Sequence, residues 1–519
     1  MSKTITIDPV TRLEGHLKIE VEVDNGKVTE ARSCGEMFRG FEKILQGRNP
    51  LDAQQITQRI CGVCPAAHAQ ASTLNLDNAF GVNPPNNGRL IRNLVLAANY
   101  IQSHILHFYH LAALDYVDIT AILNYTGGDP GLNAVKAWAK AEVDSGKSSP
   151  VAPFLPRYKG DYITDVDLNV SATDHYLTAL VMRRKAQEML AIFGGKMPHE
   201  IAILPGGATE KVTVKMILEY ASRLREIQPF IENAYIPDVL AIAKAYSQYF
   251  SIGRGSGNLM SYGVFEEGGT GTRTFIPSGV YIDGKIGDFS PSKITEHVKH
   301  SKYSSASGKH PSEGETITDL SKKDAYSWLK SPRYDDKVVE VGPLARMGIS
   351  HLLGSRDKTS RLVTDTLQSA GVTFDDMFSV MGRHAARALE CKLLADRAAE
   401  WITQLKPGEP THTKFEIPEN STGMGLTEAP RGSLGHWITI KNKKIDHYQV
   451  VVGTTWNCSP RDDHGQPGPL EQALVGTPIA DPENPIEAAR VVRSFDPCLA
   501  CAIHVVTPDK ELVSSLALA

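Results

Sequence analysis

The sequence has 519 residues, 41% of them hydrophobic and 22% charged, with a formal net charge of −4. Such a chain can bury a large core and is long for one ordinary domain. Its nearly balanced charge argues against binding to nucleic acid or to an anionic membrane surface, so we expect small molecules or proteins as partners.

The chain carries no apolar run of the length that a membrane span needs, about 18 residues. Its N-terminus also lacks the charged and apolar regions of a signal peptide. We therefore expect a soluble protein with no signal of its own. If it is exported, another protein must carry the signal.

The first predicted element is a β-hairpin at 16–32, because Asn25-Gly26 separates two apolar or alternating runs. Further hairpins are predicted at 281–286 and 437–452, the first of them in a region rich in Gly, Ser and Lys. Apolar periodicity predicts long helices at 90–117, 174–193, 212–230, 237–250 and 374–405. These patterns indicate an α+β fold, predominantly α, with long buried helices in a central bundle and β-hairpins at its periphery.

Several ionisable residues on these elements have an ordinary explanation. Glu14 lies in a turn-like segment and Glu42 on a short amphipathic helix, where surface or capping carboxylates are the default. His104, His107 and His110 recur every three residues along the helix at 90–117. This spacing suits a ladder of metal ligands, but buried histidines with hydrogen-bond partners are the commoner reason for it.

The strongest signal is a pair of C-x-x-C motifs, at 61–64 and 498–501, followed by His68 and His504 respectively. Four thiolates suffice to bind zinc, cuprous copper, an iron-sulfur cluster or another soft transition-metal centre. The chain has seven cysteines, an odd number, which favours metal or redox chemistry in a reducing compartment over a disulfide framework.

A structural zinc site is the commonest explanation for two such motifs. Here, however, the motifs are 434 residues apart (498 − 64), far beyond the compact spacing of zinc ribbons. Asp496, His68 and His504 also lie close to the cysteines in sequence. A reactive centre needs such groups as hydrogen-bond donors and proton carriers, whereas a structural zinc site gains little from them.

The motif segments 59–68 and 496–504 resemble the paired signatures of nickel-iron hydrogenase large subunits, most closely the uptake type. The resemblance covers almost the whole chain and implies reversible heterolytic cleavage of dihydrogen into protons and electrons. It includes the segments Arg12-Leu13-Glu14-Gly15-His16, Phe38-Arg39-Gly40-Phe41-Glu42, His107-Phe108-Tyr109, Ala429-Pro430-Arg431-Gly432 and Thr454-Thr455-Trp456-Asn457.

The resemblance implies a nickel-iron centre whose iron carries carbonyl and cyanide ligands. Cys61 and Cys498 would be terminal ligands of the nickel, while Cys64 and Cys501 would bridge the nickel and the iron. Thiolates suit such a soft, low-valent centre.

The same resemblance gives roles to residues around the centre. Arg431 and Thr454 match donors to the cyanides, with Arg431 over the open metal position and Asp496 as its partner. The Cys498 thiolate and the Arg431 guanidinium are the two candidate bases for the proton from dihydrogen. A guanidinium is almost never neutral, so Cys498 is the favoured first proton acceptor, and Glu14 would receive the proton next.

Three residues that would not bind the nickel-iron centre directly also match the family. His68 matches a histidine that is hydrogen-bonded to a bridging thiolate, and Glu42 and His504 match ligands of a separate magnesium or iron ion. The chain departs from the family at one point. Many members carry an aspartate before the histidine on the long helix, whereas this chain has Ser103 before His104.

Cys34, Cys391 and Cys458 remain once the four metal ligands are assigned, and they are too scattered to hold an iron-sulfur cluster. The resemblance supplies a separate iron-sulfur small subunit, which would take the electrons and pass them to a membrane or soluble cytochrome. That subunit would also carry the export signal. We therefore expect the protein in the periplasm or at the membrane, with the cytoplasm as the alternative.

Family large subunits are cut after the histidine of the second motif once nickel has been inserted. Residues 1–504 would thus form the hydrogenase large-subunit domain. Residues 505–519, which number 15 (519 − 504), would be an extension that a maturation endopeptidase removes after nickel-insertion proteins have acted.

Two alternatives share many of these features. One is a structural or assembly subunit that descends from such enzymes and holds zinc on the four cysteines. The presence of all four cysteines and of Glu14 argues against it. The other is a cytosolic, cofactor-coupled hydrogenase, which has the same site and different partners.

Overall fold

The computed structural model describes residues 3–145, 160–268, 273–354 and 358–502. Helices predominate over strands in these ranges, so the prediction of an α+β, predominantly α fold is confirmed. In chain order the helices are α1 Phe41–Leu45, α2 Asp52–Thr57, α3 Pro65–Phe80, α4 Asn86–Leu106, α5 Pro130–Ser145, α6 Val166–Gly194, α7 Val214–Phe230, α8 Ile236–Ala245, α9 Pro343–Leu353, α10 Lys358–Ala370, α11 Val380–Ile402, α12 Gly453–Asn457, α13 Pro469–Leu474, α14 Ile486–Ser494 and α15 Leu499–Ala502.

The strands form small antiparallel sheets of two or three neighbours, ordered β1-β2-β3, β4-β5, β6-β7-β8, β9-β10 and β11-β12-β13. Their bounds are β1 Lys3–Ile7, β2 Leu17–Asp24, β3 Lys27–Gly35, β4 Ile203–Leu204, β5 Gly207–Ala208, β6 Leu259–Glu267, β7 Arg273–Ile282, β8 Lys285–Gly287, β9 Ile294–His297, β10 Ser331–Tyr334, β11 Asn420–Ala429, β12 Gly432–Lys441 and β13 Lys444–Val451.

The predicted hairpins are present. Asn25 and Gly26 make the turn between β2 and β3 with φ angles of 50° and 73°, as an Asn-Gly turn requires. The hairpins β7–β8 and β12–β13 lie where the second and third were predicted. The sequence did not predict β11, because Gly423 and Gly425 interrupt its apolar alternation.

Two predicted helices differ from the observed ones at their boundaries. The helix predicted at 374–405 begins only at Val380, because the Ser379 side chain accepts a hydrogen bond from the Gly382 amide and starts the helix there. The helix predicted at 90–117 continues as α4 only to Leu106 and then widens into a π-helical segment, His107–Ala112.

The long helices form the interior of the fold. Almost every residue of α4 is buried, and this helix packs against α3, α6 and α11. Helix α3 lies on the sheet β11-β12-β13, and α11 also contacts α9 and α14. None of the helices in the described ranges is both long and apolar enough to cross a membrane.

Candidate metal centre

The first cysteine motif lies at the start of α3. Cys64 is the residue before the helix and Pro65 is its first residue, a position that tolerates the missing amide hydrogen of proline. The amides of Val63 and Cys64 point at the Cys61 sulfur, with N···Sγ distances of 3.2 and 3.4 Å. Such amide donors stabilise a thiolate.

The second motif brings Cys498 against the first, with 3.3 Å between the sulfur atoms of Cys61 and Cys498. The Cys498 amide donates to the Thr454 hydroxyl oxygen at 3.0 Å, so α12 fixes the backbone of the motif and leaves the Thr454 O–H to donate elsewhere. Cys501 follows on α15, one turn later; its side chain and His504 lie outside the described part of the structure.

The sulfur atoms of Cys61, Cys64 and Cys498 lie within 4.8 Å of one another, and each of the three residues is only 1% exposed. They are the one cluster of three or more potential metal ligands in the ranges that the structure describes. Burial excludes water, and converging thiolates prefer a soft metal ion.

Arg39 ties the two motifs together, a role that motif spacing did not reveal. Its Nη2 donates to the Ala500 carbonyl at 2.6 Å and to the Ile60 carbonyl, and its Nη1 donates to the Arg59 carbonyl at 3.2 Å. One guanidinium thereby joins segments that are more than 400 residues apart in sequence (500 − 60).

Glu14 lies directly beside Cys498. Its backbone pairs with the second motif through the Leu499 amide, which donates to the Glu14 carbonyl at 2.7 Å. The Glu14 Oε2 accepts a hydrogen bond from the Ala500 amide at 2.9 Å and lies 3.1 Å from the Cys498 sulfur. Burial raises the pKa of Glu14, and the negative charge of Cys61 raises it further. This carboxyl can exchange a proton with the Cys498 thiol.

Arg431 and Asp496 form a buried ion pair, with 3.3 Å between Nε and Oδ1. Burial lowers the pKa of Arg431, but Asp496 and the neighbouring thiolates outweigh it and raise the pKa well above its usual value. Arg431 therefore stays a cation, which offsets the negative charge of the cysteine cluster. Asp496 has a φ angle of 53°, a left-handed conformation that aspartate tolerates better than most residues.

His68 takes part in a buried polar chain behind the first motif. Its Nδ1 lies 3.3 Å from Nε2 of His436, whose Nδ1 lies 2.8 Å from the Tyr448 hydroxyl. The Tyr448 hydroxyl in turn donates to Ser72 at 3.2 Å. His436 was not predicted from the sequence, since a lone histidine on a strand gives no signal of its own.

Glu42 is only 5% exposed on α1, so the default interpretation of a surface carboxylate is wrong. Burial raises its pKa, while the ammonium group of Lys330 acts in the opposite direction. Lys330 Nζ also donates to Glu296 at 2.8 Å and to Gln449 at 3.3 Å. Oxygen ligands of this kind suit a hard cation, which fits the second metal site that the family resemblance implies.

Two of the three histidines of the long helix, His104 and His107, are buried and hydrogen-bonded, whereas His110 is half-buried with its ring against Tyr176. His104 Nε2 donates to Glu390 at 2.7 Å and His107 Nε2 to the Arg493 carbonyl at 2.7 Å. Burial lowers the pKa of His104 to about 4, so it is neutral. The Ser103 hydroxyl, where many family members carry aspartate, is buried and has no hydrogen-bond partner among the described residues.

Comparison with known proteins agrees with this geometry. A family model described as "Nickel-dependent hydrogenase" matches residues 39–504, and a second, described as "HoxL-like", matches residues 4–34. The periplasmic [NiFeSe] hydrogenase large subunit of Desulfomicrobium baculatum is 46% identical, covering 96% of this chain and 95% of its own length. The hydrogenase-2 large chain of Escherichia coli K12 is 36% identical over 99% of each chain.

Among solved structures, the reduced Ni-Fe-Se hydrogenase of D. vulgaris Hildenborough superposes with a TM-score of 0.88. It is 44% identical and the match covers 97% of this chain and 100% of that one. The relatives named here are hydrogenases, so they give no support to a zinc-binding structural subunit. The matched length, the identities and the buried thiol cluster show that the chain belongs to the nickel-dependent hydrogenase family, as the large subunit of an oxidoreductase of that class.

Proposed function

We propose that the chain cleaves dihydrogen reversibly and heterolytically at a nickel-iron centre held by Cys61, Cys64, Cys498 and Cys501. The observation that carries this proposal is the 3.1 Å contact between the Cys498 sulfur and the Glu14 carboxyl at the edge of the buried thiol cluster. The Cys498 sulfur can accept a proton, and the Glu14 carboxyl that can take this proton from it is in direct contact with the sulfur.

The residues present fit the metal centre. The described sulfur atoms converge in a buried pocket, and the Arg431 cation faces them. Cys61 and Cys498 would bind nickel, and Cys64 and Cys501 would hold nickel and iron together. When bound, the centre would supply the two-electron chemistry that splits dihydrogen, its iron carrying carbonyl and cyanide ligands.

The protein's own groups move the proton. Cys498 accepts it first, since Arg431 is paired with Asp496 and its raised pKa keeps it protonated. Glu14 then takes the proton from the Cys498 sulfur and passes it toward solvent. The raised pKa of Glu14 brings the carboxyl closer to the pKa that such a transfer needs near neutral pH.

Arg431 and Thr454 would orient the diatomic ligands of the iron through their N–H and O–H donors, and the buried Arg431 side chain would help to keep water away from the sulfur atoms. Asp496 holds Arg431 in place through their ion pair. His68 keeps a bridging thiolate in position from behind the first motif, through the polar chain that continues to His436.

A second cation, magnesium or ferrous iron, would lie on Glu42 and His504 with water completing its ligands. Glu42 is buried near the charges of Lys330 and Glu296, so this place is polar enough to hold an ion. Removal of residues 505–519 by an endopeptidase, after nickel-insertion proteins have acted, would leave His504 at the C-terminus.

The relatives are named large subunits or large chains, and this chain has a small subunit as its partner. We infer that the partner holds the iron-sulfur clusters, passes electrons to a cytochrome and directs export. The D. baculatum relative is named periplasmic, which supports that compartment. The name of that relative also includes selenium, whereas all four proposed metal ligands of this chain are cysteines.

The experiment replaces Glu14 by Gln in the mature complex with its small subunit. Glu14→Gln keeps the shape of the side chain but cannot carry the proton. We expect unchanged nickel content and a fall of about a hundredfold or more in hydrogen-deuterium exchange with solvent, which is the usual size of a general acid-base contribution.

The matched control is Glu200→Gln, another buried carboxylate with a raised pKa that is not in contact with the cysteines. Its exchange rate should match that of the wild type. Normal exchange in Glu14→Gln would contradict the proposed proton route.

A further inference from the structure

The turn that presents Arg431 is clamped by a buried arginine from another element. Strands β11 and β12 pair up to Ala429 and Gly432, so Pro430 and Arg431 form a two-residue hairpin loop. Such loop tips are usually mobile and exposed. Here Arg346 on α9 donates from Nη1 to the Ala429 carbonyl at 2.9 Å and from Nη2 to the Pro430 carbonyl at 2.8 Å.

The remaining donors of Arg346 bind carboxylates. Its Nε and Nη2 form a bidentate pair with Glu390 at 2.5 and 2.7 Å, and Nη1 donates to Glu428 at 2.8 Å. These contacts and the two carbonyls use the five N–H groups of a guanidinium, so its orientation is fully determined. Arg346, Glu390 and Glu428 are completely buried.

The supporting elements are also tightly held. Glu390 on α11 accepts a second hydrogen bond from His104 on α4 at 2.7 Å. A Cβ atom added to Gly342, the residue before α9, would lie 2.9 Å from the Arg431 carbonyl oxygen, so the start of α9 runs directly beside the turn. Three long helices and one hairpin thus meet at Arg346.

We propose that Arg346 is a positioning residue for the hydrogenase reaction: by holding the carbonyls of Ala429 and Pro430, it sets where the Arg431 guanidinium stands over the metal centre. This inference rests on the proposed role of Arg431. Arg346 itself makes no contact with the cysteines in the described structure, and it acts only through the turn.

The test replaces Arg346 by Lys in the mature complex, because lysine keeps the charge but has only three donors and no fixed fork. The matched control is Arg92→Lys. Arg92 is also buried, binds Asp77 at 2.7 Å and donates to two backbone carbonyls, those of Leu204 and Gly207, at 2.8 and 3.2 Å. It lies on α4 and contacts none of the residues of the proposed site.

We expect Arg346→Lys to retain nickel, to shift the infrared cyanide stretching bands of the centre and to lower kcat for dihydrogen oxidation at least about tenfold, since small misplacements of a catalytic group have effects of this size. Arg92→Lys should lose comparable thermal stability with unchanged bands and kcat. If Arg346→Lys does not fold, Glu428→Gln is the second variant: it removes the charge that faces Arg346 and replaces one of two accepting oxygens by an NH2 donor, so it should shift the same bands.

Unchanged bands and kcat in the folded Arg346→Lys complex, or unchanged bands in Glu428→Gln where that variant takes its place, would overturn the inference while leaving the proposed function intact. Absence of nickel or of cyanide bands from the wild-type complex would instead overturn the proposed function, and the role of Arg346 with it.

Discussion

Cys498 makes the contacts on which the whole site depends. Its sulfur lies 3.3 Å from that of Cys61 and 3.1 Å from the Glu14 carboxyl, and its amide donates to Thr454. Cys498→Ser replaces a soft thiolate with a hydroxyl that does not bind nickel at neutral pH. We expect the variant complex to retain no nickel by elemental analysis.

Cys391→Ala is the control for this prediction. Cys391 is equally buried, on α11, and burial raises the pKa of its thiol well above the usual value, so it remains protonated and has no tendency to bind metal. Its nickel content should equal that of the wild type. A Cys498→Ser complex with a full complement of nickel would refute the ligand assignment.

Protonation of the buried Glu200 carboxyl makes the free energy of unfolding depend on pH. Burial raises its pKa from 4.5 to about 7, and neither carboxyl oxygen has a hydrogen-bond partner among the described residues. The folded state therefore binds a proton more tightly than the unfolded state. The stability that this provides is fully present below pH 4.5 and is lost as the pH rises through 7.

We therefore expect Glu200→Gln to raise the temperature of half-inactivation of the complex by a few degrees at pH 8 and to change it little at pH 5. Half-inactivation after timed heating is the suitable measurement, because large complexes rarely unfold reversibly. Glu313→Gln, at an exposed position, should show no difference at either pH. A variant less stable than the wild type at pH 8 would show that burial does not dominate at this carboxyl.

For single residues, the spacing of the cysteines predicted the thiol cluster, and the family resemblance predicted roles for Glu14, Arg431 and Asp496. Residue chemistry alone did not separate Glu14 from a surface carboxylate, because its burial depends on a second segment almost 500 residues away (498 − 14). Arg39 and His436 act through contacts that exist only after folding, so no local pattern indicates them.

At the scale of elements, the packing of β11 against α3 supports the first cysteine motif at the start of that helix. A Cβ atom added to Gly425 on β11 would lie 2.1 Å from the Ala71 carbonyl oxygen, so the two elements must separate to accommodate it. We expect Gly425→Ala to destabilise the protein by about 1–3 kcal/mol, as overpacking does. The temperature of half-inactivation should fall accordingly.

Gly128→Ala is the control, because an added Cβ there meets no atom within 4 Å. Its half-inactivation temperature should be that of the wild type. If Gly425→Ala were equally stable, the close contact between β11 and α3 would not be essential to the fold.

Helices and hairpins were predicted well where a single segment carries its own signal, as with α7, predicted at 212–230, and the Asn-Gly turn after β2. Predictions failed where tertiary packing decides. Strand β11 has glycines where a strand usually has β-branched residues, and it exists because α3 and β12 cover it. The start of α11 depends on a serine cap that the apolar periodicity does not show.

At the scale of the whole molecule, the chain brings together segments from both of its ends. The turn at 12–16, the first motif at the start of α3 and the second motif beside α15 meet in one buried place. Periodicity cannot predict such long-range contacts, and the family resemblance was needed to anticipate them. The first motif supplies only two thiols, so the proposed four-thiolate centre needs the second motif as well.

The decisive measurement is the metal content of the mature complex, taken together with the mass of the large subunit. We predict about one nickel per chain with iron in excess, because four thiolates from both ends of the chain suit one soft metal centre. The mass should correspond to a chain that ends at His504. A chain that has lost residues 505–519 and contains zinc but no nickel would contradict the account.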